Sequence, residues 1–306
     1  MRMAMVWVLG VCMVGLAPRA PAADEHYENK VAADPHGVVE ISNIAGSIEV
    51  QAWDNPAVEV RAELGGGVDR IEVKSDPGRT LIKVIVPNHT FHSPATDLRV
   101  RVPRQSELDI SGVSAEVTAS DVEGPLQLKT VSGNIKADLY DKSAEIKTIS
   151  GDVVLRGHGK DAGASIRVTS ISGNVRIDRT AGDVDATSVS GDLTVRLEST
   201  HPTRNVRVRT TSGNLGFEGR VAKGGYVDAE TVSGDLTVRA IPDGGLSYEV
   251  NTFSGDITNC MGVDAERVSK YAPGRRLMGS KGPSGSDSVR VRLKTMSGDV
   301  ELCDKN

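Results

Sequence analysis

The stretch LQLKTVSGNIKADL, residues 126–139, decides the fold. Leu126, Leu128 and Thr130 alternate with Gln127 and Lys129, and Ile135, Ala137 and Leu139 alternate with Lys136 and Asp138. Period-two alternation marks a half-buried strand. Between the two runs lies Ser132-Gly133-Asn134, and glycine beside Asn or Asp suits a backbone that must visit positive φ. The unit is therefore strand, tight turn, strand.

Working outward, Ser-Gly-[Asp/Asn] recurs eight times, at Gly133, Gly151, Gly173, Gly191, Gly213, Gly234, Gly255 and Gly298. The glycines are 18, 22, 18, 22, 21, 21 and 43 residues apart, so the last interval holds an insertion. Two residues after each glycine the side chain is always aliphatic, and four after it is apolar in seven of eight units, Asn259 being the exception. Five and seven residues before each glycine lie Leu128 and Leu126, Ile146 and Ala144, Val168 and Ile166, and their equivalents. A lone unit cannot bury such a face. Stacked units can, with equivalent strands parallel and about 4.8 Å apart. The expected fold is all-β, a right-handed parallel β-solenoid with two short strands per coil, although the sequence leaves handedness open. An antiparallel sandwich has strands at similar spacing, but gives no reason for identical residues at identical phase.

Three columns support stacking. Three residues before glycine a hydroxyl always stands, from Thr130 and Thr148 to Thr252 and Thr295, and such columns can hydrogen-bond along a stack. Five residues after glycine stand Asp138, Arg156, Asp178, Arg196, Glu218 and Arg239, alternating in sign, then Cys260 and Cys303. The turn residue alternates too, Asn134, Asp152, Asn174, Asp192, Asn214, Asp235, which separates the carboxylates until Asp256. Cys260 and Cys303 share one phase in successive units, so stacking brings their Cα atoms near 5 Å, within disulfide range. The bridge is expected to enclose the insertion and staple the last coil.

Residues 1–22 read as a secretory signal peptide. Arg2 supplies the positive start, Met3 to Ala17 the apolar core, and Ala20-Pro21-Ala22 the cleavage site. Val11 before Cys12 does not suit a lipid-anchoring site. Cleavage leaves 34 Lys and Arg against 41 Asp and Glu, a net charge of −7, and an even pair of cysteines suited to an oxidising compartment. That charge implies no nucleic-acid surface, and no apolar run reaches the roughly 20 residues of a membrane-spanning helix. Residues 23–110 carry the repeat weakly, with Ile41 to Asp54 a degenerate copy, and are expected to form an N-terminal β-segment capping the solenoid domain of residues 111–306. The insertion, residues 261–288, carries Arg267, Lys270, Arg275, Arg276 and Lys281 among Gly, Pro and Ser. Its expected forms are a solvated loop over the end of the stack or a site for an anionic partner.

Catalytic and metal chemistry find little footing. Eight equivalent serines are a turn device, and no G-x-S-x-G elbow is present. His89 and His92, three apart on an extended chain, face opposite sides. Three of the eight turns carry Asn where a calcium-binding β-roll needs carboxylates. Sugar-cleaving β-helices need clustered acid and base groups with aromatic platforms, whereas aromatic residues make up 3% of this chain. No catalytic, cofactor or metal residues are assigned.

The T-[VI]-S-G-[DN] units resemble the bacterial "putative adhesin" family of β-strand-repeat domains. Ile41-Ser42-Asn43 with Gly46 to Trp53 is similar to that family's start, and Pro273-Gly274-Arg275-Arg276-Leu277 followed by Val289 to Val300 to its late stretch. The resemblance covers roughly residues 37–303. It implies an exported β-solenoid, often envelope-associated, and brings no catalytic residues. The expectation is a non-catalytic periplasmic, secreted or cell-surface protein that presents repeated side chains to an envelope or surface ligand. The alternative is a carbohydrate-active β-helix enzyme.

Overall fold

The computed structural model describes residues 25–87, 95–158, 165–180, 182–197, 202–269, 272–283 and 285–304. The segment read as a signal peptide, with Cys12, and His89, His92, His201 and Lys270 lie outside the described residues. Every regular element among the described residues is a strand. The N-terminal third contains β1 (Glu25–Ala32), β2 (Val38–Trp53), β3 (Ala57–Leu64), β4 (Arg70–Asp76), β5 (Arg79–Ile85), β6 (Ala95–Pro103) and β7 (Glu107–Ser120). The middle contains β8 (Leu126–Ser132), β9 (Ile135–Leu139), β10 (Ala144–Ser150), β11 (Val153–Gly157), β12 (Ser165–Ser172), β13 (Val175–Thr180), β14 (Asp183–Thr187), β15 (Leu193–Leu197) and β16 (Thr203–Ser212). The remainder contains β17 (Leu215–Ser233), β18 (Leu236–Pro242), β19 (Leu246–Ser254), β20 (Ile257–Asn259), β21 (Glu266–Ser269), β22 (Ala272–Lys281), β23 (Val289–Ser297) and β24 (Val300–Cys303).

The strands form two stacks of parallel neighbours. The first runs β5, β2, β7, β8, β10, β12, β14, β16, β17, β23, β19. The second runs β6, β2, β7, β9, β11, β13, β15, β17, β18, β24, β20. β2, β7 and β17 are long enough to turn a corner and serve both stacks. The register pairs each repeat position with its equivalent, Leu128 with Ile146 with Val168, and Ala137 with Leu155 with Ile177. Those inward columns are buried together with Val208, Val238 and Leu293 in one aliphatic core. Val, Ile and Leu suit it because each fully buried side chain stabilises by roughly 1.5–3 kcal/mol and fits a narrow gap between sheets.

Gly173 shows why each turn needs glycine. Its φ is +123°, and a Cβ there would lie 2.2 Å from the carbonyl oxygen of Gly151 on the rung below. The residue after each turn glycine then stitches the rungs. Asn134 Oδ1 accepts the backbone N–H of Asp152 at 3.0 Å, Asp152 Oδ1 that of Asn174 at 2.8 Å, and Asn174 Oδ1 that of Asp192 at 3.0 Å. The chain of bonds continues through Asp192, Asn214, Asp235 and Asp299 to Asp256.

The hydroxyl column behaves differently from the expectation of bonds between its own members. It lies buried beside the corner; in the later rungs its bonds go to turn carbonyls, while the hydroxyls of Thr130, Thr148 and Ser170 have no hydrogen-bond partner among the described residues. Thr252 Oγ1 donates to Gly298 O at 3.1 Å and Thr295 Oγ1 to Gly234 O at 3.3 Å. Carbonyls turned inward at the corner are nearer than the next hydroxyl, and buried carbonyls need partners.

Sequence order and spatial order part at both ends. The last repeat, β23–β24, lies between β17–β18 and β19–β20, so Gly298 rests on Gly234 and Gly255 rests on Gly298. The expected succession of Cys260 then Cys303 is therefore reversed in space, and Arg239 adjoins Cys303. The degenerate copy at Ile41 to Asp54 is a full member of both stacks, lying as β2 between β7 and the β5–β6 pair. There Asn43 takes the place of the buried hydroxyl and donates from Nδ2 to Thr96 O at 2.9 Å.

Antiparallel strands cover the stack ends, β4 on β5, β3 on β6 and β1 on β3 at one end, and β22 on β19 at the other. Unpaired edges invite association, and such strands blunt them. The insertion is thus not a loop throughout. It contributes β21 and β22, and Leu277 of β22 is buried in the core. Among the described residues no helix is long and apolar enough to cross a membrane.

Candidate functional site

The residue two before each turn glycine has the opposite parity to the core columns, so it points outward. In most units it is nevertheless Val or Ile. The register aligns Ile44, Val113, Val131, Ile149, Ile171, Val189, Thr211, Val232, Met296 and Phe253 on consecutive rungs of the first stack. All except Thr211 are exposed apolar side chains, between 39% and 58% accessible. At about 4.8 Å per rung the stripe runs roughly 43 Å. Sequence reading passed over this column although its parity and its apolar identity were both available.

The stripe has polar flanks of opposite character. On the turn side stand the ladder residues, among them Asp152, Asp192, Asp235 and Asp299. Two residues back along the strand, on the outer sheet face, stand Lys129, Lys147, Arg209 and Lys294 on four rungs, and Thr169, Thr187, Glu230 and Asn251 on the other repeat rungs. Lys147 Nζ lies 2.7 Å from Glu145 and Lys294 Nζ 3.1 Å from Glu230.

The charged column expected from sequence lies in register on the second stack, Asp138 beside Arg156, Asp178 and Arg196 in turn, then Glu218 and Arg239. Its ion pairs run sideways. Asp178 meets Arg176 at 2.6 Å and Asp138 meets His158 at 3.1 Å. Cys260 and Cys303 form a disulfide with a Cα–Cα distance of 4.9 Å. Among the insertion cations, Arg275 pairs with Asp256 at 2.8 Å, Arg276 with Glu249 at 2.9 Å and Lys281 with Asp304 at 2.5 Å. These three hold β22 and the chain end in place. Arg267 stands opposite Arg275 across the β21–β22 pair.

Two clefts accompany the stripe. The first, about 740 Å³, lies on the outer face of the first stack near its C-terminal end, over Tyr226, Asp228, Arg292, Glu249 and Met278. Arg207 lies 5.6 Å from the Tyr226 ring centroid. The Asn251 amide and the Arg276 guanidinium hold the Glu249 carboxyl below its usual range. The second, about 870 Å³, lies at the turns near Tyr140, with Glu107, Glu123 and His36 around it. The Tyr140 ring stacks on His158 with centroids 5.5 Å apart, and its hydroxyl lies 3.4 Å from Asp121. Burial, reinforced by the Asp121 carboxylate, pushes the Tyr140 phenol up from its ordinary value. Trp53 is no free platform, since its indole N–H donates to Ala57 O at 2.8 Å and Lys30 and Arg101 lie over its ring. Among the described residues no group of three or more His, Cys, Asp or Glu side chains is placed to hold a metal ion.

Solved structures similar to this chain have low sequence identity. A "putative adhesin" from Bacteroides fragilis is 9% identical, with 92% of this chain and 98% of that chain covered and a TM-score of 0.46. A "putative lipid binding protein" from Parabacteroides distasonis is 10% identical, covering 90% and 96%, with a TM-score of 0.44. A "putative adhesin" from the same organism is 13% identical, covering 92% and 98%, with a TM-score of 0.26. No curated protein matches the chain. The Toastrack DUF4097 family model matches twice, at residues 37–180 and 168–303, taking in both stacks from β2 to β24. The chain belongs to the Toastrack DUF4097 family.

Proposed function

We propose that this protein is a non-catalytic, exported interaction module, adhesin-like or scaffolding within the cell envelope, and that its working surface is the apolar stripe of the first stack. One observation carries the reading: nine apolar side chains held in register on the outside of a rigid stack. Monomeric proteins rarely leave such a surface without use. The fold we propose beneath it is a right-handed β-solenoid with two short strands per coil, with residues 23–110 an N-terminal segment in which β1, β3 and β4 cap the stacks that β2, β5 and β6 join. The alternation of the two stacks along the chain supports two strands per coil. The readings of residues 1–22 as a signal peptide, and of the product as periplasmic or secreted, belong to the same proposal, and the Cys260–Cys303 disulfide is compatible with them. The charged column from Asp138 to Arg239 is proposed as structural, and Arg275, Arg276 and Lys281 as holding the stack end. The partner is an envelope component or surface ligand, not nucleic acid.

A carbohydrate-active enzyme has one observation on its side, the cleft lined by Tyr140 and His158, with Asp138 3.1 Å from the His158 ring. Localisation and binding separate the two. Protease shaving of intact cells with periplasmic fractionation locates the chain, and isolated envelope fractions report binding. The interaction reading expects the wild type to bind and Ile149→Asp with Ile171→Asp to weaken binding at least tenfold, with the His158→Ala variant unchanged. A cytoplasmic chain, or binding indifferent to the stripe, overturns it.

A further inference from the structure

The stripe is a comb of Val and Ile teeth with the pitch of a β-stack. We infer that its partner is a second copy of this chain, packed stripe to stripe about a two-fold axis that runs along the stripe. This rests on the interaction-module reading and names its partner. Three features of the surface lead to it.

The first is area. The nine residues leave roughly 800 Å² accessible, about one partner's share of a standard interface of some 1,600 Å², and more than the largest apolar patch of an ordinary monomer. The second is pitch. Teeth about 4.8 Å apart keep register over ten rungs only with a surface of the same spacing, and another copy supplies that spacing. Seven of the nine teeth are β-branched, six of them on paired strands and Val189 beside the Ser190 bridge, so little rotamer freedom is lost when they dock. The third is charge. With the axis along the stripe, each copy's turn column faces its partner's outer-face column on the same rung, and on two rungs this sets a lysine against a carboxylate. Lys147 then lies opposite the partner's Asp152, and Lys294 opposite the partner's Asp299. An axis across the stripe would set the acidic columns against each other. The rung of Val232 opposes this, carrying Glu230 and Asp235 together, and the remaining repeat rungs place a neutral side chain on at least one side.

Sedimentation of the exported full-length chain between about 1 and 100 μM tests the association, with expected conversion to dimer. Ile171→Thr with Val189→Thr, the chemistry already present at Thr211, is expected to raise the dissociation constant at least tenfold with circular dichroism and melting temperature unchanged. A thiol cross-linker of about 10 Å, the spacing of facing sheets, reports orientation. Ile149→Cys and Val232→Cys should each link to the same position of the other copy. A chain that stays monomeric, or a dimer untouched by the threonine pair, overturns the inference. Absent homotypic links at both positions overturn the parallel arrangement. If the chain is monomeric yet the threonine pair loses binding to envelope fractions, the second copy is wrong and the interaction reading stands. If the variants alter neither, both fall.

Discussion

Replacing Gly173 by alanine probes the geometry on which every rung depends. The φ of +123° is open to glycine, and forcing a Cβ into such a region costs of order 1–3 kcal/mol. The added carbon would also lie 2.2 Å from Gly151 O, so the rung must lift. Lifting it stretches the bond from Gly151 N to Ser172 O, at 3.1 Å, and that from Asn174 N to Asp152 Oδ1, at 2.8 Å. Each contributes about 1 kcal/mol. The total is about 4 kcal/mol. With an unfolding entropy of about 2.1 cal/mol/K per residue over some 280 residues, that lowers the melting temperature by about 7 °C. The assay is thermal unfolding followed by circular dichroism. Gly66→Ala is the control, because nothing lies within 4 Å of its added carbon. A Gly173→Ala melting temperature within about 1 °C of the control would refute the argument that rung spacing and turn conformation are jointly fixed.

Further outcomes follow from the same structure. Cys303→Ser removes a bridge across a separation of 43 residues and should lower stability by about 4 kcal/mol, read as a melting difference that a reductant reproduces in the wild type. Leu293→Ala in β23 should cost about 2–5 kcal/mol. Its hydrogen exchange should rise in β19 and β22, which depend on β23, a pattern that stacking in sequence order would not give. The raised Tyr140 phenol has a defined pH signature. Folded and unfolded chains are both protonated below the ordinary value near 10, so its contribution is complete there. It is lost as pH rises above 10 and the unfolded chain releases its proton first. Melting measured from pH 8 to 11 should fall more steeply in the wild type than in Tyr140→Phe, and equal slopes would contradict this.

Local chemistry determined much of this molecule in the sequence itself. The period-two columns around Gly133, Gly151 and their equivalents define parallel strands because equal residues at equal phase can only be explained by equal surroundings. The glycine-Asn/Asp pair defines the turn because backbone conformation is a property of one or two residues. The Cys260–Cys303 pair followed from phase alone. Parity in LQLKTVSGN also made the outward Val131 legible, with its equivalents, as an anomaly on the polar face.

Three things were decided only by the tertiary structure. The order of rungs at each end was one, since β19 and β23 carry nearly the same pattern and either satisfies β17. Burial of the insertion's Leu277 and pairing of β22 fix the choice, and both are long-range contacts. The destination of side-chain bonds was another. Thr252 and Thr295 bond turn carbonyls, and Asp178 turns to Arg176, because reach and angle at a corner depend on atoms contributed by other rungs. The third was the stripe as a continuous surface, since exposure belongs to a side chain's neighbours in space and no single repeat contains them.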